Sequence, residues 1–505
     1  MSVAIAPDEP NRRALILPGG GMRVAWQAGV IKALHQAGLR FSYADGASGG
    51  TMNLAALLSG VTPDDLCRRW RTLPVQQFVS LRSPMQYARF PRTGALGDFD
   101  GIEQVVFPHL GIDLSALRQA QGIQATFNVC DFSTKTVEAI PQQRMARELL
   151  LAGISLPLAT PPMTYQGRTW TDAVWIRDSN MMATVRAGAN ELWVAWCIGN
   201  TPTFQSGLLE QYVHMIEMAA VGRSNEELAE IAAINAAIAR GERPYGHDRP
   251  ITVHVIAPEH PIPLDPDFLT GRIDAATLIA YGYRDACRML ATGAPTALDS
   301  GATRMTERGE GIHFRETMSG RLCFGETDPE AGYRNPAAMP VSIHAAIDIN
   351  DVRAFTIDPD HLEPLSGHLE WHRKGGWLPA ASGTFGLFTP TNDPDLVHMI
   401  YAMLVAIDGE PYYFNGRKHV RIAGPWRLWR ATTTLYVTLH EGVDETGPIV
   451  AAGRLSLGVP ALMRLAGTMR AAGCRSRRQS IRAIWRFIRF FASELTRIYV
   501  GRERR

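Results

Sequence analysis

Ala14-Leu15-Ile16-Leu17-Pro18-Gly19-Gly20-Gly21-Met22-Arg23 is a short apolar run halted by a proline and three glycines. Helical spacing follows: Trp26, Val30, Ala33, Leu34 and Leu39 share one face. The pattern then repeats. A second short strand, Phe41–Ala44, runs into Gly46-Ala47-Ser48-Gly49-Gly50, and Met52–Leu58 reads as a helix. Further apolar runs at Ala125–Cys130, Leu192–Ile198 and Ile251–Ala257 are separated by helix-like stretches at Leu208–Ala220 and Asn225–Arg240. Strands alternating with helices predict an α/β fold, a mostly parallel sheet flanked by helices.

The character changes after Ala294. Val341, Ile343, Ala345, Ile347 and Ile349 alternate with polar residues, as do Leu435, Val437 and Leu439. Turn residues punctuate these runs at Gly375-Gly376, Asp408-Gly409 and Asn415-Gly416. This predicts an antiparallel β sandwich or barrel-like domain, followed by a C-terminal amphipathic helix. The expected organisation is a tail over 1–12, the α/β domain over 13–294, a linker over 295–307, the β-rich domain over 308–460 and a basic helical tail over 461–505.

Composition sets the outer bounds. The 505 residues are 46% hydrophobic and 20% charged, which excludes a largely disordered chain. No uncharged apolar run is long enough to span a bilayer, and no apolar signal core precedes Arg13, so a cytoplasmic or peripheral membrane location is expected. Six scattered cysteines form no CxxC pair, so free thiols are expected. The net charge of +2 conceals an asymmetry. From Met463 onward twelve arginines stand against two glutamates, so a basic tail follows an acidic body. Such a tail suits an anionic surface.

Three motifs carry chemistry. In Gly46-Ala47-Ser48-Gly49-Gly50, a G-x-S-x-G between strand and helix, Gly46 and Gly50 let a sharp turn close and expose the Ser48 hydroxyl. Read alone, it is also a tight turn with a solvated serine. Gly19, Gly20 and Gly21 offer backbone N–H groups that can hold a developing oxyanion. A dinucleotide turn is disfavoured because Val24 stands at its third glycine position, and no G-K-[ST] follows for a P-loop. Asp172, in Thr169-Trp170-Thr171-Asp172-Ala173, is a carboxylate whose pKa a desolvated cleft raises toward general-base work. Taken singly it reads as a turn or cap residue.

In this order the three pieces resemble the patatin-like phospholipases, over about Arg13 to Leu290. The resemblance implies lipid acyl-ester hydrolysis by a Ser48–Asp172 dyad. Gly19–Arg23 corresponds to the oxyanion loop, and Arg23 steadies that loop, meets a phosphate or is a solvated arginine at the helix N-terminus. Two positions depart from the family: Ala173 follows the aspartate, where glycine is usual, and Val24 follows the arginine, where glycine is frequent. They are the ground for the alternative, a catalytically inactive lipid- or membrane-binding protein. Asp178, where the family often has asparagine, is expected to be structural. More faintly, Phe314–Gly320, Gly383–Phe388, Tyr412–Lys418 and Thr432–Tyr436 resemble an accessory domain of cholesterol-oxidase-like flavoproteins.

A Ser–His–Asp triad is the mechanistic rival, but His214, His254 and His260 lie in no recognisable catalytic context. His368, Glu370 and His372 alternate along one strand face, with His361 upstream. Without an H-E-x-x-H pattern they read as a polar, solvated face, and no metal and no cofactor is assigned. In the tail, Ile481, Ile484, Trp485, Ile488, Ala492 and Leu495 form the expected apolar face. The expected partners are a lipid ester substrate and an anionic membrane surface met by 475–505. Nucleic acid is not expected, since no nucleic-acid motif accompanies the arginines. Asp45 and Asp131 are expected as strand-end residues.

Overall fold

The computed structural model describes residues 12–78, 80–81, 95–263, 271, 273–371, 376–421 and 428–500. The chain divides between Thr306 and Glu307 into two compact units.

The N-terminal unit is built on one mixed sheet. Its strands are β1 (Arg13–Leu17), β2 (Tyr43–Gly46), β3 (Gln124–Asp131), β4 (Thr136–Pro141), β5 (Met163–Tyr165), β6 (Arg168–Asp172), β7 (Glu191–Ala195) and β8 (Thr252–Ile256). The order is β8-β7-β1-β2-β3-β6-β5, with β4 paired to β3. The first five are mutually parallel, and the antiparallel strands gather at one end. Helix α1 (Ala25–Gln36) follows β1 and is buried from Ala25 to Leu34. Trp26 Nε1 donates to Asp285 Oδ2 at 3.0 Å, tying α1 to the last helix of this unit, Ala275–Thr292. Helix α2 (Gly50–Leu58) follows β2. Leu208–Ala239 is one continuous helix, α3, rather than the two expected: Gly222 weakens the turn without ending it, and Ala219, Ala220 and Arg223 beside it are good helix formers. The stretch 295–307, expected as a linker, packs on this unit up to Thr306. Thr296 Oγ1 accepts from the Val255 amide at 2.8 Å, and Met305 is buried in the core.

One detail of the sheet positions the site. Along a single edge of β3, β2 pairs with Gln124–Phe127 and β6 with Val129–Asp131, while β4 takes the opposite edge. β2 is parallel to β3 and β6 antiparallel, so their C-terminal ends meet head-on. The turn after Gly46 and the end of β6 at Asp172 are thereby brought face to face.

The C-terminal unit is a closed antiparallel barrel of eight strands: β9 (Gly311–Phe324), β10 (Met339–Ile349), β11 (Leu362–Trp371), β12 (Gly376–Pro390), β13 (Leu396–Ile407), β14 (Glu410–Arg421), β15 (Thr434–Glu441) and β16 (Ile449–Ser456). Neighbours pair in sequence order, and β9 closes the ring by bonding both β10 and β16. Closure removes the exposed edges an open sheet would carry. The alternation seen in the sequence sets the core: Ile343, Ala345 and Ile347 point inward with Leu435, Val437 and Leu439. Buried among them, Lys418 bonds Glu316 at 2.7 Å and Tyr401 donates to the same carboxylate at 2.6 Å.

Helix α4 (Arg477–Val500) packs on this barrel through Ala483, Phe487 and Ile498. The expected apolar face is split. Ile484 and Leu495 lie half-buried against the core, whereas Ile481, Trp485 and Ile488 are 50%, 65% and 42% exposed and Ala492 is exposed. The helix carries two apolar stripes and the barrel covers one.

Candidate functional site

Ser48 sits on the turn between β2 and α2 with φ 46°, a left-handed conformation rarely held by a residue with a side chain. Such a backbone costs about 1 kcal/mol or more and persists only where the surroundings impose it. The surroundings here are close-packed backbone. A Cβ on Gly50 would run into the Leu17 carbonyl oxygen, and one on Gly49 would come within 2.6 Å of the Gly21 carbonyl oxygen. At Gly46 a Cβ would press on Leu54 at 3.0 Å. The small residues of the motif are thus required by the approach of the β1 loop.

That loop is shaped by its own glycines. Gly20 (φ 148°) and Gly21 (φ 60°) occupy conformations that favour glycine, and a Cβ on Gly20 would lie 2.6 Å from Cys197 Sγ. Arg23 is buried rather than solvated, and its Nε donates to the Gly20 carbonyl at 3.0 Å. In a trans peptide the next N–H points the opposite way, so this bond turns the Gly21 N–H away from Arg23. Gln27 holds the loop from behind, donating to the Pro18 carbonyl at 2.7 Å and the Ala195 carbonyl at 3.1 Å.

The three expected oxyanion donors are not equivalent. The Gly19 N–H already donates to Asp178 Oδ2 at 2.7 Å. Among the described residues the N–H groups of Gly20 and Gly21 have no such partner. Asp178, expected as structural, therefore clamps the loop, and it lies close to the serine as well. A Cβ placed on Gly19 would lie 2.7 Å from Asp178 Oδ1 and 2.9 Å from Ser48 Oγ.

Asp172 ends β6 with no exposed surface. Its backbone N–H donates to Ser155 at 3.1 Å, and its Oδ1 accepts from the Val174 amide at 2.9 Å. Burial pushes its carboxyl well above the usual range, and the neighbouring Asp178 adds to the rise. The nearby Ser48 hydroxyl pulls the other way, yet Asp172 Oδ2 is buried without a fully formed hydrogen bond. Serine and aspartate are neighbours that have not closed on each other. Burial also raises Asp178 to about 7, against the pull of the Gly19 amide and Arg23.

The groups that shift Asp172 most include no histidine. His254 stacks on Trp193 at 4.1 Å on the edge strand β8, where burial lowers its pKa. His260 Nδ1 bonds Thr306 at 2.9 Å, and His214 bonds the Gln205 amide at 2.9 Å. Asp45 accepts from Thr126 and Asn128, each at 2.6 Å, and burial raises it to about 7. Asp131 is bound by Arg168, which holds its carboxyl below the usual range. Both act at strand ends, as expected. Ala173 and Val24 are fully buried, and Val24 Cγ1 would lie 2.9 Å from a Cβ on Gly49.

Sequence reading missed the clamp by Asp178 and the backing by Gln27 and Cys197. Only the identity of Asp178, an acid six residues past Asp172, hinted at the first.

A strained serine turn, a glycine loop facing it and a buried aspartate thus meet at one end of the N-terminal sheet. Residues 15–184 match the family model Patatin-like phospholipase. The match lies wholly within the N-terminal unit. Among solved structures, the crystal structure of VipD from Legionella pneumophila is similar at 11% identity and a TM-score of 0.31, covering 56% of this chain and 67% of that one. No curated protein matches.

Proposed function

We propose that the protein hydrolyses lipid acyl esters, with Ser48 as nucleophile and Asp172 as its base. The observation that carries this reading is the strained Ser48 beside a buried Asp172 whose Oδ2 lacks a hydrogen bond. Ser48 Oγ attacks the ester carbonyl as its proton passes to Asp172 Oδ2, and the tetrahedral oxyanion takes the N–H groups of Gly20 and Gly21. Asp172 returns the proton to the departing alcohol. The same carboxylate then activates water to release the acyl group from Ser48. The raised pKa makes Asp172 a stronger base for a hydroxyl than an ordinary carboxylate. Arg23 acts by holding the loop.

The surroundings suit an apolar acyl chain. Tyr212 of α3 donates to the Pro157 carbonyl at 2.8 Å, and its own pKa is raised by burial and by the Asp172 charge. It thereby places the start of α3 by the site, where Leu208 is 89% and Leu158 is 68% exposed. Ala173 and Val24, the two departures behind the inactive reading, are both buried in the core.

The test is hydrolysis of phospholipid and neutral acyl esters in mixed micelles by wild type, Ser48→Ala and Asp172→Asn, each checked for folding. Loss in both variants is expected. Full activity in folded Ser48→Ala would refute the assignment.

We also infer that α4 meets an anionic membrane surface. Ile481, Trp485 and Ile488 lie at helical spacing and are exposed, with Arg478, Arg482 and Arg489 beside them. No described helix is long and apolar enough to cross a membrane.

A further inference from the structure

A cluster on the barrel stands outside this chemistry. β10 and β11 run antiparallel, with His344 opposite His368 and Ser342 opposite Glu370. Ile343, Ala345 and Leu369 in the same strands point into the core, so His344, His368 and Glu370 share the outer face. The face is not simply solvated: His368 is 5% exposed, with Trp377 against it at 5.1 Å. The third donor comes from the neighbouring strand, while His372 lies outside the described residues.

The geometry brings donor atoms together. The rings of His344 and His368 stack with centroids 4.6 Å apart and 9° between their planes. His344 Nε2 lies 3.4 Å from Glu370 Oε2. One donor atom from each of the three residues falls within 4.8 Å of the others, the one such group among the described residues.

The His344 ring is also oriented. The Thr317 hydroxyl of β9 bonds its Nδ1 at 3.2 Å, while its buried Nε2 faces the Glu370 carboxylate without a formed hydrogen bond. A second partner on the far ring nitrogen is the arrangement that fixes a metal-ligating histidine. Two imidazoles with one carboxylate suit zinc and its first-row neighbours, and are too nitrogen-rich for calcium or magnesium.

We propose that His344, His368 and Glu370 bind one divalent first-row transition ion, zinc foremost, on the outer wall of the barrel. Bonds of about 2.0–2.2 Å need donors roughly 3.3–3.6 Å apart in a tetrahedral site. The present spread closes when the stacked rings splay and their nitrogens converge, with the strand pairing kept. The fourth position is left for water or a further ligand.

The test uses the full chain, stripped by chelator and titrated with Co²⁺ and then Zn²⁺. One equivalent of Co²⁺ with tetrahedral-type visible absorption, displaced by Zn²⁺, is expected. His344→Gln and Glu370→Gln should each weaken binding about tenfold or more. Circular dichroism of the metal-free variants should match wild type. X-ray absorption of the zinc form should count two imidazoles in wild type and one in His344→Gln. No binding by wild type, or equal binding by both folded variants, would overturn the assignment. So would an imidazole count unchanged in His344→Gln.

Discussion

Asp172 and Asp178 are two buried carboxyls beside Ser48; Asp178 raises the cost of ionising Asp172 and is itself held by the Gly19 N–H. A base works only when deprotonated, so the acid limb of kcat/KM should lie above the usual aspartate range of about 4. Asp178→Asn keeps an acceptor for the Gly19 N–H and removes the like charge. The acid limb should then move to lower pH, with the loop intact. An unmoved limb would mean that Asp178 does not bias Asp172. Alanine at His254 or His260 should leave turnover within a few-fold of wild type if the variants fold. Substantial loss in one of them, with Asp172→Asn still active, would instead point to a triad. At this scale the motif residues were legible because each lies in a contiguous turn. The Asp178 clamp was not, because it joins residues 159 apart in sequence and depends on β2 and β6 meeting end to end.

At the scale of elements, the glycine loop and its elbow form one close-packed pair. Gly20→Ala must place a Cβ against Cys197 Sγ in a backbone conformation that side chains rarely adopt. It should cut activity far more than it lowers the melting temperature, since the loop can shift while the sheet stays. Equal loss of both would make the loop a folding element alone. For α4, Trp485→Ser should weaken flotation with anionic liposomes, and added salt should weaken it further. Unchanged flotation would remove this stripe from the membrane contact. Deleting the helix is the poorer test, since it also uncovers the core side of Ala483, Phe487 and Ile498. The helical periodicity of the tail was visible in sequence. Which stripe the barrel takes was not, because two stripes satisfy the same spacing.

Over the whole molecule, α/β and β-rich halves were legible because periodicities of 3.6 and 2 are local properties of the chain. Barrel closure was not, since β9 must pair with β16 across more than a hundred residues as well as with its neighbour β10. The His344–His368 juxtaposition is hidden because it depends on the register between β10 and β11, which alternation alone does not set. The N-terminal unit also holds an unusual store of protons. Burial raises Asp45, Asp178 and Glu227 each to about 7, so near neutral pH the folded state binds protons that the unfolded chain has released. Stability therefore falls as pH rises from about 4 through 7, the unfolded and folded values. Urea unfolding of this unit should give a lower midpoint at pH 8 than at pH 5.5, and Asp45→Asn should flatten the slope. A midpoint that rises over this range would contradict the burial of these acids.

The most direct test of the central claim is labelling by a fluorescent fluorophosphonate in the presence of mixed micelles. Wild type should label, Ser48→Ala should not, and Asp172→Asn should label at least about a hundredfold more slowly. Persistent labelling of folded Ser48→Ala, an unchanged rate in Asp172→Asn, or a wild type that never labels would contradict a serine activated by Asp172.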